Sequence, residues 1–501
     1  VLRDARERGD RPALIDGPSG RVTTYAELGE KVERLAAGLV ADGLAPGDVV
    51  GICAPNCPEY AVAFLGVALA GGTATTANAL FTAHELATQL VDSRATTLLA
   101  GPEILPTALA AAREARIAVR TLRPSDGVPS LDDLIERGGP VPDPPPDPAT
   151  TIVSLPYSSG TTGTSKGVML THRNLVANLV QVEGPWGLAP EGEATVAILP
   201  FFHIYGQTAL MGHALRRGAT VVTMPRFELE GYLALTERHR ATFGFIAPPV
   251  ALALARHPAV AEHDLSSLRW LLSGAAPLDA ELEAEVAERL GCAMAQGYGM
   301  TEASPVTHSW DVARPVIRGT VGPPIASTEV RVVDPASGED VETGRPGELW
   351  IRGPQVMAGY RGRPEATAAT VDADGWLRTG DVATVEEGGA ARIVDRLKEL
   401  IKYKGYQVAP AELEAVLLGH PDVADACVIP VTDAEAGEIP KAFVVLRSGA
   451  SAGGDEIMAF VAERVAPHKR VRACEEIDAI PKSASGKILR RVLIERERRA
   501  G

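Results

Sequence analysis

The stretch Tyr157 to Val168 reads YSSGTTGTSKGV and is framed by two short apolar runs, Thr151 to Leu155 before it and Val168 to Leu170 after it. Apolar runs of that length read as strands, so the chain has to turn between two strands through glycines, hydroxyls and one lysine. Gly160 and Gly163 let backbone N–H groups approach oxyanions closely. Ser158, Ser159, Thr161 and Thr162 add hydroxyl donors, and Lys166 adds a point charge. The set suits a polyphosphate. A Walker A loop does not fit, because Ser165 precedes Lys166 and Gly167 follows it. Gly163 to Gly167 matches G-x-S-x-G, but that elbow requires a helix starting at its serine, and Ser165 lies between two strand-like runs. Taken by itself, the stretch reads equally as a mobile surface loop.

With 501 residues the chain exceeds a single domain. Its 46% apolar and 23% charged residues are those of an ordinary globular enzyme. A net charge of −15 excludes general nucleic-acid binding, and an anionic substrate must be drawn in by local positive charge. Cys53, Cys57, Cys292, Cys427 and Cys474 form no disulfide framework, and no second pair completes a zinc site around Cys53 and Cys57. Reduced cysteines in a cytoplasmic protein are expected. Tyr60 to Ala83 carries no charge, but its strongly apolar part ends at Ala70. A buried helix followed by a loop is expected there, and no stable membrane insertion. No signal-peptide pattern is seen.

Residues 1–150 alternate short apolar strands, such as Val49 to Ala54, with Ala-rich helices, such as Glu27 to Ala41. This is α/β layering. Pro140 to Pro148 is an extended connector. A helix is expected over Thr171 to Val182. Strands follow at Ala194 to Leu199, Ala219 to Met224, Thr242 to Ala247 and Leu268 to Leu272. They end in PFFHIY, PR, PP and SGAAP turns, and ligands of open α/β sheets sit beyond strand carboxyl ends. In Gln296 to Glu302, QGYGMTE, two glycines let a planar ring approach backbone, and Thr301 with Glu302 offers a hydroxyl and a carboxylate for phosphate and Mg²⁺. The heptapeptide reads equally as a glycine turn with a surface Glu. Asp381 in WLRTGD suits ribose hydroxyls; alone it reads as a solvated turn. From about Lys398 the pattern becomes a small α+β domain, with a helix over Pro410 to Leu418, strands at Ala426 to Val431 and Ala442 to Leu446, and a helix over Asp455 to Val465. It closes on a Ser/Gly loop carrying Lys487 and on Arg490 to Arg499, read as a solvated helix face.

YSSGTTGTSKGV, PFFHIYG, SGAAPL, QGYGMTE, WLRTGD, VDRLKELIKYKGYQVAP and PKSASGKILRR occur in one order over nearly the whole chain. This ordered set resembles the adenylate-forming superfamily of acyl-CoA synthetases, luciferases and peptide-synthetase adenylation domains, and is most like its 4-coumarate/cinnamate-CoA ligases. The resemblance implies a mixed α/β and α+β fold: an N-terminal domain, 1–397, of stacked β-sheets with helices and a small β-barrel, and a C-terminal lid, 398–501. It implies ATP, Mg²⁺ and coenzyme A, with a small carboxylic acid as the other partner, no nucleic acid, and a monomer or homodimer. By this similarity Ser158, Ser159, Gly160, Thr161, Thr162 and Lys166 hold the β- and γ-phosphates. Thr301 and Glu302 meet the α-phosphate and Mg²⁺, Tyr298 lies against the adenine, Gln296 and Gly297 belong to the same nucleotide-binding segment, and Asp381 with Arg396 meets the ribose. Lys487 bridges the attacking carboxylate and the α-phosphate, Lys402 and Gln407 serve the second half-reaction, and Lys398 is the hinge. Lys404 and Gly405 form a pantetheine tunnel, and Arg226 meets coenzyme A phosphates. His203 is read as an aromatic gate at the acyl carboxylate, with a general base as the alternative.

The same similarity lines the acyl pocket with Tyr205, Ala209, Gly274, Ala275, Gly297, Gly299, Pro305, Val306 and His308. These are small and apolar apart from one Tyr and one His, which suits a flat aromatic or medium acyl group. His308 is placed to meet a ring hydroxyl or to pack at the rim. Ser165, where the family usually has Pro, and Gly389 to Arg392, which lacks an aromatic, depart from the pattern without removing a catalytic group. A medium-chain fatty-acyl-CoA ligase, an enzyme loading a carrier protein, a luciferase-like oxygenase and an inactive binding protein are the competing functions. Lys166, Glu302, Asp381 and Lys487 argue against the last.

Overall fold

The computed structural model describes residues 1–125, 127–143, 147–158, 165–189, 191–404, 406–433, 436–483 and 486–500. Its largest sheet runs, from one edge, Gly359–Tyr360, Lys166–Thr171, Ile152–Ser154, Thr73–Ala77, Val49–Cys53, Ala95–Ala100 and Ala118–Thr121. It is parallel from Ile152–Ser154 onward; the edge carrying Lys166 is antiparallel. Two mostly parallel four-stranded sheets pack with it. One holds Ala194–Ala197, Thr220–Thr223, Pro12–Asp16 and Val22–Thr24. The other holds Phe243–Ile246, Trp270–Ser273, Ala293–Gly299 and Val306–Ser309. A single hydrophobic cluster, from Ala5 to Tyr360, fills the space among these sheets and their helices.

The helices start where capping chemistry starts them. Thr24 Oγ1 accepts the Glu27 N–H while the Glu27 carboxylate accepts the Thr24 N–H, and Thr171 with Asn174 repeats the arrangement one sheet away. Tyr25–Ala41 then buries Tyr25, Leu28, Val32, Leu35 and Leu39 along one face. The uncharged stretch after Tyr60 belongs to the helix Pro58–Leu69, buried on most sides. The loop expected behind it is a fully buried strand, Thr73–Ala77. Its threonines are β-branched and lose their polarity to neighbours: Thr73, Thr75 and Thr76 hydroxyls donate to the Ile152, Leu155 and Phe202 carbonyls at 2.8, 2.9 and 2.7 Å. No described helix is long and apolar enough to cross a membrane. All five cysteines are free.

Glu329–Val333, Gly347–Arg352, Leu377–Val385 and Ala391–Arg396 form an antiparallel sheet with its own small core. A small barrel was expected within the N-terminal domain; the traced pairing of this sheet among the described residues is an open path of four strands. The last sheet contains Tyr406–Val408, Ile401–Tyr403, Gly437–Leu446, Val423–Asp433 and Ala473–Glu476. Together with Pro410–Leu418 and Gly454–Ala462 it closes around a separate apolar cluster that includes Leu413, Val428, Val444 and Val461. The closing helix Arg490–Ala500 is not solvated throughout. Arg490 is partly buried, its guanidinium bonded to Glu399 at 2.8 Å and to Glu414. A charged helix pattern does not reveal which of its arginines turns inward.

One buried side chain ties the large body to the turn that carries His203. Asn56 donates to the Ala197 and Leu199 carbonyls, both at 2.9 Å, and accepts the Phe201 N–H at 2.8 Å. Asn56→Ala leaves those groups buried without partners, so the denaturation midpoint of the large body should fall by the equivalent of about 3 kcal/mol. A guanidinium titration followed by tryptophan fluorescence checks this.

Candidate active site

Glu302 is buried, at the end of the turn that leaves the Ala293–Gly299 strand. Its Oε1 accepts two hydroxyls, Ser158 Oγ at 2.9 Å and Tyr360 Oη at 2.8 Å. Lys166 extends its ammonium over the Tyr360 ring, 4.7 Å from the centroid. Ser158 and Lys166 are register partners in the hairpin formed by Tyr157–Ser158 and Lys166–Thr171. A strand, not a helix, follows Ser165, so the hydrolase elbow is absent. Ser159, Gly160, Thr161 and Thr162 lie outside the described residues, as does Gly405. Thr301 stands beside Glu302 in the same short turn.

A second cluster forms where the small antiparallel sheet meets this turn. Asp381 is the register partner of Arg396, whose Nε lies 3.4 Å from Oδ1, while Oδ2 accepts the Tyr298 hydroxyl at 2.5 Å. Burial raises the Asp381 pKa, and Arg396 opposes that rise. Glu348 accepts the Gly380 N–H at 3.0 Å and the Trp350 indole N–H at 2.8 Å, which holds the turn that presents Asp381.

Lys487 is within electrostatic reach of this cluster, next to Gly486, which lies against Ala247 and Pro249. Burial lowers its pKa to about 8; Arg396 lowers it further, and the Glu399 and Asp381 carboxylates oppose the shift. Its loop is braced internally: Ser483 N–H donates to the Lys487 carbonyl at 2.8 Å, and Lys487 N–H donates to Ser483 Oγ at 3.1 Å. Gly486 has φ +82° and lies so near the large body that a Cβ there would sit 3.3 Å from the Ala247 Cβ. Both constraints favour glycine.

His203 is partly buried, and its Nδ1 accepts the Tyr205 N–H at 3.3 Å. Burial first, then the Lys487 charge, lowers its pKa to about 4. The ring is therefore neutral at pH 7 and too weakly basic for efficient general-base work there. Tyr205–Gly212 is a π-helix, a form concentrated at functional sites. Its wider turn places Tyr205 and Ala209 on one buried face. Tyr205 donates to the Leu272 carbonyl at 3.1 Å, and a Cβ on Gly274 would come within 3.0 Å of its ring. Ala275 follows at φ 72°. Gly299 lies so close to Pro305 that an added Cβ would be 2.1 Å from its carbonyl oxygen, and Val306 is clamped through both backbone groups by Asn178.

Two residues are held differently from the sequence expectation. The Gln296 amide accepts the Leu278 N–H at 3.0 Å and donates to Glu283 at 2.8 Å, so its side chain braces the SGAAPL turn. His308 pairs across the strands with Tyr298, shares its face by strand alternation, and packs with ring centroids 5.9 Å apart. It backs the Tyr298 ring, while Gly297 and Gly299 face the other way. Lys402 and Gln407 are opposite one another on an exposed hairpin, Lys404 follows, Lys398 occupies the turn after Ala391–Arg396, and Arg226 is exposed. Tyr360, Glu348, Glu399 and Asn178 were not singled out from sequence, because each acts through residues far away in the chain.

The residues present fit the groups the resemblance implies. With Oε1 taken up by two hydroxyls, Glu302 has its second carboxylate oxygen to offer a hard divalent cation. Lys166 and Lys487 supply positive charge on two sides, and Asp381 offers a carboxylate to a diol.

The sequence model described as AMP-binding enzyme matches residues 1–361, and the one described as AMP-binding enzyme C-terminal domain matches 412–487. A relative named 4-coumarate–CoA ligase 5, from Oryza sativa subsp. japonica, is 43% identical over 98% of this chain and 93% of its own. ATP-bound MatB from Rhodopseudomonas palustris is similar at TM-score 0.91 and 30% identity, over 99% of this chain and 97% of that one. The anthranilate CoA ligase AuaEII, in complex with anthranoyl-AMP, is similar at TM-score 0.91 and 28% identity, over 99% and 96%.

Two outcomes follow from the geometry. Gly486→Val should cut any step that needs Lys487 in the cleft by at least about ten-fold, because the left-handed turn and the Ala247 contact are both lost; the melting of the large body should be unchanged. If the protonated Lys487 is the working form, that step should lose rate as pH rises through about 8 in the free enzyme, read as kcat/KM.

Proposed function

The chain belongs to the AMP-binding enzyme family, and we propose that it is an ATP-dependent acid–CoA ligase acting on an aryl or arylalkenyl acid such as 4-coumarate or cinnamate. The carrying observation is Lys487: its neighbour Gly486 lies against Ala247 and Pro249 of the large body, and its ammonium is within electrostatic reach of Arg396, Glu399 and Asp381. A cation delivered across a cleft suits the joining of two anions. In the first half-reaction the carboxylate attacks the α-phosphorus and pyrophosphate leaves. Such transfer needs positioning and charge neutralisation more than covalent help. Lys487 bridges carboxylate and α-phosphate, Lys166 and Ser158 hold the distal phosphates, Thr301 meets the α-phosphate, and Asp381 with Arg396 holds the ribose. Bound Mg²⁺ supplies further neutralisation of phosphate charge, and Glu302 is the residue that would hold it.

In the second half-reaction the coenzyme A thiol attacks the acyl carbon and AMP leaves. The separate core of residues beyond 398 supports a body that can move as a unit. Movement about Lys398 withdraws Lys487 and presents the exposed Lys402, Gln407 and Lys404 instead, while Arg226 meets coenzyme A phosphates. The acid lies between the Tyr205–Ala209 face and the Gly274, Ala275, Gly299, Pro305 and Val306 backbone, a slot of small groups suited to a flat ring. The free cysteines support a cytoplasmic location.

Lys487→Ala should abolish acid-dependent pyrophosphate exchange yet still convert supplied acyl-AMP and coenzyme A to thioester; equal loss of both would sink the moving-lid account. His203→Phe should retain most thioester formation, because a ring neutral at pH 7 orients rather than accepts protons; near-total loss would restore the base. A panel of cinnamates, benzoates and medium-chain fatty acids, read by AMP release with coenzyme A or with a carrier protein, decides the acid and the acceptor. Exchange with fatty acids alone would overturn the aryl assignment.

A further inference from the structure

Tyr360 joins the two charged groups of the phosphate end of the cleft. Its strand, Gly359–Tyr360, forms the outer edge of the largest sheet, with Tyr360 opposite Val168 and Gly359 opposite Met169. Flanking backbone bonds, Arg361 N–H to the Gly167 carbonyl and Ala358 N–H to the Met169 carbonyl, both 2.9 Å, tie it to the strand that begins at Lys166. The same segment anchors Glu302, whose carbonyl accepts the Met357 N–H at 2.9 Å. The Tyr360 N–H donates to Thr367 Oγ1 at 2.9 Å. The ring is thereby fixed between a lysine and a carboxylate.

Each side of that ring has one task. Its face receives the Lys166 ammonium at 4.7 Å, a cation–π contact. Its hydroxyl donates to Glu302 Oε1 at 2.8 Å, joining Ser158 Oγ on the same oxygen. Lys166 and Glu302, oppositely charged and both in contact with one side chain, form no ion pair among the described residues. Without the ring between them, the simplest arrangement would be direct pairing, and each charge would then be spent on the other.

We infer that Tyr360 is a positioning residue that keeps Lys166 and Glu302 from neutralising each other, so that one remains available to phosphate and the other, through its second oxygen, to a divalent cation. The inference rests on the ligase reading. It divides the side chain into two separable parts. Tyr360→Phe keeps the spacer and removes one donor from Oε1, freeing the carboxylate to turn. Tyr360→Leu removes the spacer as well and lets the pair close.

The test is calorimetric binding of MgATP to the full chain without acid or coenzyme A, with Mg²⁺ varied at fixed ATP, alongside the melting temperature. Tyr360→Phe should raise the Mg²⁺ needed for half-maximal ATP binding about ten-fold, the scale of one hydrogen bond to a charged group. Its affinity at saturating Mg²⁺ should match wild type. Tyr360→Leu should weaken MgATP binding about ten-fold or more even at saturating Mg²⁺, while its melting temperature stays at or above that of the Phe variant, because a new ion pair has formed. Substituting Lys166→Met in the Leu background should then give no further loss. Unchanged Mg²⁺ and ATP dependence in both variants overturns the inference. So does a loss of binding that tracks a loss of melting temperature in both, which would mark Tyr360 as merely structural. A wild-type chain that fails to bind MgATP overturns the ligase reading itself, and with it the role assigned to Tyr360.

Discussion

The arrangement depends on a charge being carried into a cleft by one body and accommodated there by another. An ammonium that is largely desolvated is costly unless opposite charge and fixed dipoles receive it. Asp381 and Glu399 oppose the cost for Lys487, and the neighbouring Arg396 adds to it. The position is therefore poised, not deeply stabilised. A lysine held that way gains most when two further anions arrive, which is the situation an acid and a triphosphate create. The surrounding structure keeps that insertion reproducible. Gly486 permits close approach, Arg490 locks the final helix to Glu399 and Glu414, and Asp395 accepts the Ala411 N–H at 2.9 Å near the start of the helix that follows.

Much of this was legible from residues alone. The apolar runs from Thr151 to Leu272 mark the strands to within a residue or two, and Pro410–Leu418 is the helix expected. The turns rich in Gly, Pro and aromatic residues do fall at strand ends, where ligands of open α/β sheets are expected. The ordered motifs carry both the family and the pairing of Asp381 with Arg396, adjacent strands whose partners happen to share one interface.

What escaped is equally specific. Thr73–Ala77 looks like a polar loop because its hydroxyls count as polar in a one-dimensional reading; three carbonyl partners, one of them 126 positions away, make them apolar in effect. Arg490 looks like its exposed neighbours until Glu399 and Glu414 are brought beside it from 91 and 76 positions away. Tyr360 is a two-residue strand with no periodicity to read. Its meaning lies in Lys166 and Glu302, which only the folded sheet edge brings together. Gln296 and His308 carry the opposite lesson. Both lie in or beside a functional motif, yet the Gln296 amide is held by Glu283 and Leu278, and the His308 ring packs against Tyr298.

The separate apolar core beyond residue 400 has a thermodynamic consequence. Cooperativity in unfolding comes from shared interior, and the cluster around Leu413 and Val444 is distinct from the cluster around Leu14 and Phe243, with a small patch of Val382, Leu400 and Ala409 between the bodies. No single free energy describes such a chain. Heat or denaturant can dissolve the smaller body while the larger persists, leaving a particle that still looks mostly native to spectroscopy but no longer holds Lys487 in place. Inherited or engineered lesions beyond residue 400 would then silence the protein without emptying the cell of it.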